Sequence, residues 1–257
     1  MTVQPGKLVA VVLALLLGGG ATVRAAGLPP GFVYLRDVDA SIVQDIRYAG
    51  ARNFVGRPIA GYEAGECVLT EKAARALGVV QAALAARQLS LIVWDCYRPA
   101  RAVADFWRWS TNPADDRMRP EFYPRIDKSR LFALGYIAKR SGHSRGSTVD
   151  LGIAPAGSAV PAYDPAAPPR PCFAPAGRRA DEGAVDLGTS YDCMDALAAT
   201  DHPAAGKTAL ENRRLLQTLM VRAGFTPYAK EWWHFQLNNE PFPGQVFDFP
   251  IKPRAAR

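Results

Sequence analysis

An unbroken run of ten apolar residues at positions 8–17 (LVAVVLALLL) sets the terms for the rest of the chain. It follows a short start that carries one side-chain cation, Lys7. A small-residue stretch, 18–26, comes next, and within it Val23-Arg24-Ala25 fits a small-x-Ala cleavage site. This succession has the layout of a secretory signal peptide, and the run is too short to span a bilayer with ease. Residues 1–25 are therefore expected to be removed. The product would be a single exported domain over 26–257, with no stable membrane insertion.

Export decides how the cysteines read. Cys67, Cys96, Cys172 and Cys193 make an even set, and in an oxidising compartment such sets pair. The spacing argues against a zinc–cysteine site, because no C-x-x-C occurs. Three pairings are possible. Cys172 with Cys193 would close a Pro/Gly-rich loop, and Cys67 with Cys96 would tie the start of a helix to a strand. At 257 residues, with 49% hydrophobic and 21% charged, the chain can bury a core and does not have the composition of a disordered one. Its net charge of +7 is dispersed, without a run of five or six like charges, so nucleic acid is not an expected partner.

Apolar periodicity gives a mixed pattern. Residues 32–48 suggest short strands, and 53–62 form a loop with Gly56, Pro58 and Gly61. Thr70 can cap a helix reaching about Arg87, with Leu77, Val80 and Leu84 on one face. A strand over 91–95 and a helix over 100–109 follow. Segment 129–141 is short and mixed, 148–153 reads as a strand, and 154–183 is a long irregular insertion of the kind that often carries function. The clearest amphipathic helix covers 208–223 and ends at Gly224, and 231–237 is an aromatic strand. Helices and strands alternate without a regular βαβ beat, which is an α+β pattern.

The chain has three histidines, His143, His202 and His234. His143 lies in a Gly/Ser-rich turn, Ser141-Gly142-His143-Ser144-Arg145-Gly146, that leads into a strand carrying Asp150. His234 lies in Glu231-Trp232-Trp233-His234-Phe235. Two imidazoles and a carboxylate make a metal site with an open fourth position, and a second carboxylate beside it can serve as general base. Glu231 and His234 are three apart, however, and on a regular strand they face opposite ways. Only a bulge, a strand end or a helical turn would bring them together. Trp232 and Trp233 read as core, and His202, just before Pro203, as an outer or surface residue.

Ser141-x-His143-x-x-Gly146-x-x-x-Asp150 followed by Glu231-Trp232-Trp233-His234 resembles the zinc D-alanyl-D-alanine dipeptidases. These are the vancomycin-resistance-type enzymes and their bacterial relatives, related to D-Ala-D-Ala carboxypeptidases and hedgehog-like domains. Further matching segments are Arg47-Tyr48, Asn53-Phe54-x-Gly56, Asp95-x-Tyr97-Arg98-Pro99, Asp186-x-Gly188-Thr189-x-x-Asp192, Asn212-Arg213-Arg214 and Phe247-Asp248-Phe249-Pro250. The resemblance implies a single α+β domain with a central, mainly antiparallel sheet flanked by helices. It implies one zinc ion per chain on His143, Asp150 and His234, with Glu231 as base and Arg98 stabilising the transition state. Thr148 departs from the Ala usual in these relatives, a change that a strand accepts.

Hydrolysis of D-Ala-D-Ala to two D-Ala is the activity so implied. A dipeptidase must hold both free termini, and Asp192 or Asp186 could take the substrate ammonium. Ser141, Ser144 and Arg145 could donate to the substrate carboxylate. Two rival readings are a D,D- or L,D-carboxypeptidase acting on longer peptidoglycan peptides and a zinc- or wall-binding module without turnover. A mere binder would need neither Glu231 nor Arg98. An exported enzyme would recycle D-Ala from wall fragments and would not confer glycopeptide resistance, which requires destroying the dipeptide in the cytoplasm. The oligomeric state is left open.

Overall fold

In chain order the strands are Phe32–Tyr34 (β1), Val43–Gln44 (β2), Val68–Thr70 (β3), Leu89–Asp95 (β4), Thr148–Pro155 (β5), Phe225–Tyr228 (β6) and Glu231–Leu237 (β7). This computed structural model describes Met1 and residues 27–255, so the expected leader, apart from Met1, lies outside the described residues. Five strands form one sheet in the order β2-β4-β5-β7-β6, and β1 pairs with β3 in a small antiparallel ribbon. Within the larger sheet only β2 and β4 run parallel, and the other pairings are antiparallel. The expected α+β domain with a mainly antiparallel sheet is the one found.

Three long helices accompany the sheet: Glu71–Ala85 (α2), Ala100–Ser110 (α3) and Lys207–Arg222 (α6). Shorter helical turns are Leu35–Val38 (α1), Arg119–Phe122 (α4) and Leu131–Leu134 (α5). The Thr70 hydroxyl caps α2 by accepting from the Ala73 amide, and the apolar stripe of Leu77, Val80 and Leu84 is buried. α2 packs on β4, α6 packs on β5, β6 and β7, and the two helices touch. Strands β4 and β5 are buried almost throughout, which is why their sequences are mostly apolar rather than alternating, with Asp95 and Asp150 as the buried charges. On the face that carries Trp94, an aromatic layer closes the sheet: Trp94 stacks on Tyr191 (5.1 Å, 14°) and meets Trp232 edge-on. Gly152 belongs to this layer, since a Cβ there would lie 2.6 Å from the Trp94 ring.

The insertion is irregular as expected from residue 156 onward, and residues 156–195 hold neither helix nor strand, but Ala154 and Pro155 extend β5. Two devices fix it. Cys172 is bridged to Cys193, and the buried Arg213 of α6 donates to the carbonyls of Leu187 (2.8 Å), Ala199 (2.7 Å) and Leu197 (3.1 Å). Burial lowers the Arg213 pKa to about 10. The second bridge joins Cys67, just before β3, to Cys96, just after β4. Among the described residues no helix is long and apolar enough to cross a membrane.

These bridges close segments separated by 29 and 21 residues. Chain-entropy arguments assign each a stabilisation of about 3–4 kcal/mol. The paired change Cys172→Ser with Cys193→Ser should lower the unfolding free energy by about 3 kcal/mol in guanidinium titrations, and an unchanged midpoint would contradict that role.

Candidate active site

Asp150 sits between two neighbours at the same level of the sheet. Strand register pairs it with His234 on one side and with Asp95 on the other. Directly opposed residues on adjacent strands project to the same face, so Asp95, Asp150 and His234 form a row across β4, β5 and β7. The pairing between β4 and β5 shifts by one residue between Val93 and Asp95, and this bulge puts Asp95, rather than Trp94, opposite Asp150.

A larger irregularity resolves the problem of Glu231. Pro227 of β6 pairs with Phe235, but the next residue, Tyr228, pairs with Glu231. The three residues between them bulge, Trp232 and Trp233 are both buried, and Glu231 and His234 reach one site. Glu231 Oε2 lies 3.8 Å from His234 Nδ1.

His143 comes from a short 3-10 turn, Gly142–Arg145, just ahead of β5. Ser141 caps it by accepting from the His143 amide (3.2 Å), and Gly146 ends it with φ +79°. A side chain at Gly146 would strike the Phe32 ring at 2.2 Å, so only glycine fits there. His143 Nδ1 lies 2.8 Å from the Cys96 carbonyl. A carbonyl only accepts, so Nδ1 carries the proton and Nε2 presents its lone pair.

The three inward atoms form a small triangle. Asp150 Oδ1 is 3.0 Å from His234 Nδ1 and 3.3 Å from His143 Nε2, and the two nitrogens are 3.3 Å apart. A tetrahedral ion with bonds of about 2.0–2.1 Å needs ligand separations of about 3.3–3.4 Å. The donor set and its spacing therefore fit a small divalent metal, and the exposed side of the triangle gives an open position.

Arg98 is the cation nearest the triangle. Asp95 Oδ2 holds it through Nε (2.9 Å) and Nη2 (2.7 Å), and Nη2 lies 3.6 Å from Asp150 Oδ2. The guanidinium stands over the rings of Tyr48 and Phe106, at 5.2 and 5.3 Å. Asp95 is fixed in turn by the Tyr62 hydroxyl at 2.6 Å.

Arg98, His143, Asp150, Glu231 and His234 line a cavity of roughly 200 Å³ together with Ser141, Asp192, Tyr48, Tyr136, Ile137 and Tyr228. Carboxylates crowd it. Burial, with the charges of Asp150 and Asp192, pushes the Glu231 carboxyl well above the usual carboxylate range, against the pull of Arg98 and Lys230. Burial and Asp150 push Asp192 up to about 8, although the Tyr48 hydroxyl donates to it at 2.8 Å. Burial lowers the His234 pKa, which keeps its ring neutral and able to ligate.

Three other residues considered for substrate binding do not line this cavity. Asp186 accepts from the Gly188 amide and from Arg179, as a turn residue does. Arg145 is paired with Glu240 at 2.6 Å, and Ser144 faces a neighbouring groove along α3. His202 caps the turn Pro203–Ala205, away from the site. Residues that the sequence did not single out are also present. Tyr48 and Asp95 lie inside segments quoted for the resemblance but had no role attached, whereas Tyr136 and Ile137 come from the mixed segment after α5, which carried no signal.

An α+β domain that converges two histidines and an aspartate beside a buried glutamate has the architecture of a metal-dependent hydrolase. The chain belongs to the D-ala-D-ala dipeptidase family of peptidases, whose model matches residues 29–161 and 173–252. It is 35% identical over 225 residues to a D-alanyl-D-alanine dipeptidase of Enterococcus faecium, covering 86% of this chain and 98% of that protein. A D-alanyl-D-alanine dipeptidase of Streptomyces coelicolor is 37% identical over 220 residues with the same coverage. The D-alanyl-D-alanine dipeptidase of Escherichia coli K12 is 27% identical over 194 residues, 75% of this chain and 77% of that protein.

Metal binding tests the triangle directly. Titration of the metal-free chain with a divalent ion should saturate at a single equivalent. His143→Ala or Asp150→Ala should weaken binding by more than the roughly 10–100-fold that outer-shell changes cost, and Arg145→Ala should leave it unchanged.

Proposed function

We propose that this protein is an exported zinc dipeptidase that hydrolyses D-Ala-D-Ala to two molecules of D-Ala. One observation carries the reading: a triangle of His143, Asp150 and His234 spaced for one tetrahedral ion, with Glu231 3.8 Å from a ligand nitrogen. The names of the relatives supply the substrate, and a cavity of roughly 200 Å³ suits a dipeptide better than a wall pentapeptide.

His143 Nε2, Asp150 Oδ1 and His234 Nδ1 would hold the zinc. When bound, zinc supplies Lewis acidity, polarising an amide carbonyl and bringing the ionisation of water to near neutral pH. Glu231 takes the proton of the attacking water and later delivers it to the departing amine. The Arg98 guanidinium, immobilised by Asp95, stands where the carbonyl oxygen gains negative charge. Asp192, at the Tyr48 end of the cavity, accepts the substrate ammonium, and Ser141 donates to the substrate carboxylate.

Residues 1–25 serve as the signal peptide in this reading, and the two bridged cysteine pairs support an oxidising location in the bacterial envelope. The enzyme then recycles D-Ala from wall peptides.

Chain lacking residues 1–25 should release alanine from D-Ala-D-Ala, and not from L-Ala-L-Ala or a wall pentapeptide. A chelator should abolish the release, and zinc should restore it. Glu231→Gln should lower kcat by about 10²–10⁴-fold while metal still binds. Arg98→Ala should lose about 3 kcal/mol of transition-state stabilisation, roughly a hundredfold or more in kcat. Preferred release from the pentapeptide would make the protein a carboxypeptidase instead.

A further inference from the structure

Asp150 uses its two oxygens differently. Oδ1 faces the imidazole nitrogens, whereas Oδ2 faces away from them and lies 3.1 Å from the Tyr191 hydroxyl. We infer that Tyr191 is a positioning residue, whose hydroxyl holds Asp150 Oδ2 and so restricts Asp150 to ligation through one oxygen. The inference rests on the metal-site reading above and concerns a side chain to which no role in that reading falls.

Proton accounting directs the Tyr191 hydroxyl. Its oxygen has two acceptors within reach, Asp150 Oδ2 at 3.1 Å and the Tyr48 hydroxyl oxygen at 3.4 Å. Tyr48 has given its own proton to Asp192 at 2.8 Å. The carboxylate is both nearer and anionic, and a charged acceptor makes the stronger bond, so the Tyr191 proton goes to Asp150. Arg98 cannot replace it. Its Nη2 is 3.6 Å from Oδ2, beyond hydrogen-bond range, and its guanidinium is committed to Asp95.

The phenol is also held rigidly. Tyr191 is fully buried, stacks on Trp94 at 5.1 Å and meets Trp233 edge-on at 5.6 Å. Its amide donates to Glu182 Oε2 at 2.9 Å, and the bridged Cys193 follows two residues later. The hydroxyl therefore stays in place when Asp150 turns. Without it, Oδ2 is free to rotate toward the ion, and a carboxylate that ligates through both oxygens fills the position a catalytic metal keeps open. Outer-shell hydrogen bonds of this kind orient ligands and tune affinity.

Tyr191→Phe removes the hydroxyl and keeps the ring and its stacking. Cobalt(II) is the probe, because its visible absorption is intense in four-coordinate sites and weak when coordination number rises. The full-length variant, folded as judged by circular dichroism, should bind cobalt about 10–100-fold more weakly in competition with a chelator, with reduced visible absorption. Tyr48→Phe, which removes a hydroxyl from the same cluster but not from Asp150, should leave cobalt affinity and spectrum unchanged. Equal behaviour of Tyr191→Phe and the unaltered protein would overturn the inference, as would equal losses in both variants. Failure of the unaltered protein to bind cobalt would overturn the metal reading as well, which separates the two failures.

Discussion

The placement of Asp150 between β4 and β7 is the constraint on which the site depends. A buried carboxylate in mid-sheet is costly unless its charge is met and its lone pairs are used. Here both oxygens are engaged, one toward the imidazoles of His143 and His234 and the other toward Tyr191. Strand register, with the bulge between Val93 and Asp95, puts His234 and Asp95 at its sides. Asp95 then holds Arg98, and the Cys96 carbonyl orients His143. A slip of one residue in either strand pair would send the partner side chain to the opposite face and dismantle the arrangement.

The remainder of the molecule counters the electrostatic cost of this arrangement. Asp150, Asp192 and Glu231 converge on one cavity that Arg98 and Arg140 also line, and Asp95 lies just behind Arg98. The raised pKa values of Glu231 and Asp192 express that imbalance. A divalent cation held on the triangle would offset it, and a loaded site would then be more stable than an empty one. Covalent and packing restraints hold the groups together meanwhile. One disulfide ends at Cys96, beside the carbonyl that orients His143, and the other ends at Cys193, next to Asp192. The aromatic layer of Trp94, Tyr191 and Trp232 backs the row from within the core. Activity and folding thus draw on the same buried contacts.

Much of this could be read from the sequence, and the parts that could not have a common cause. The helix capped by Thr70, the strand cores at 91–95 and 148–153, and most of the irregular insertion follow from periodicity and local composition, which act over short stretches. His143, Asp150, His234 and Glu231 were identifiable as chemistry-bearing types, but their convergence depends on a bulge in β7, and regular strand geometry argues against it. The bulge follows from Trp232 and Trp233 both entering the core, a tertiary effect that no spacing rule encodes. Ser141 and Asp192 reach the cavity, whereas Asp186, Ser144 and Arg145 do not, because nearness in sequence does not fix which way a turn residue points. Tyr48 and Tyr191 act through hydroxyls aimed across more than a hundred residues and forty residues of chain, respectively, and such contacts leave no local trace.

The most direct test of the account is anomalous X-ray diffraction, recorded at the zinc edge from crystals of the zinc-loaded protein. The account predicts a single strong peak within about 2.0–2.2 Å of His143 Nε2, Asp150 Oδ1 and His234 Nδ1, with Glu231 outside the coordination sphere. A peak at other residues, Glu231 as a direct ligand, or no bound ion at these three side chains would contradict it.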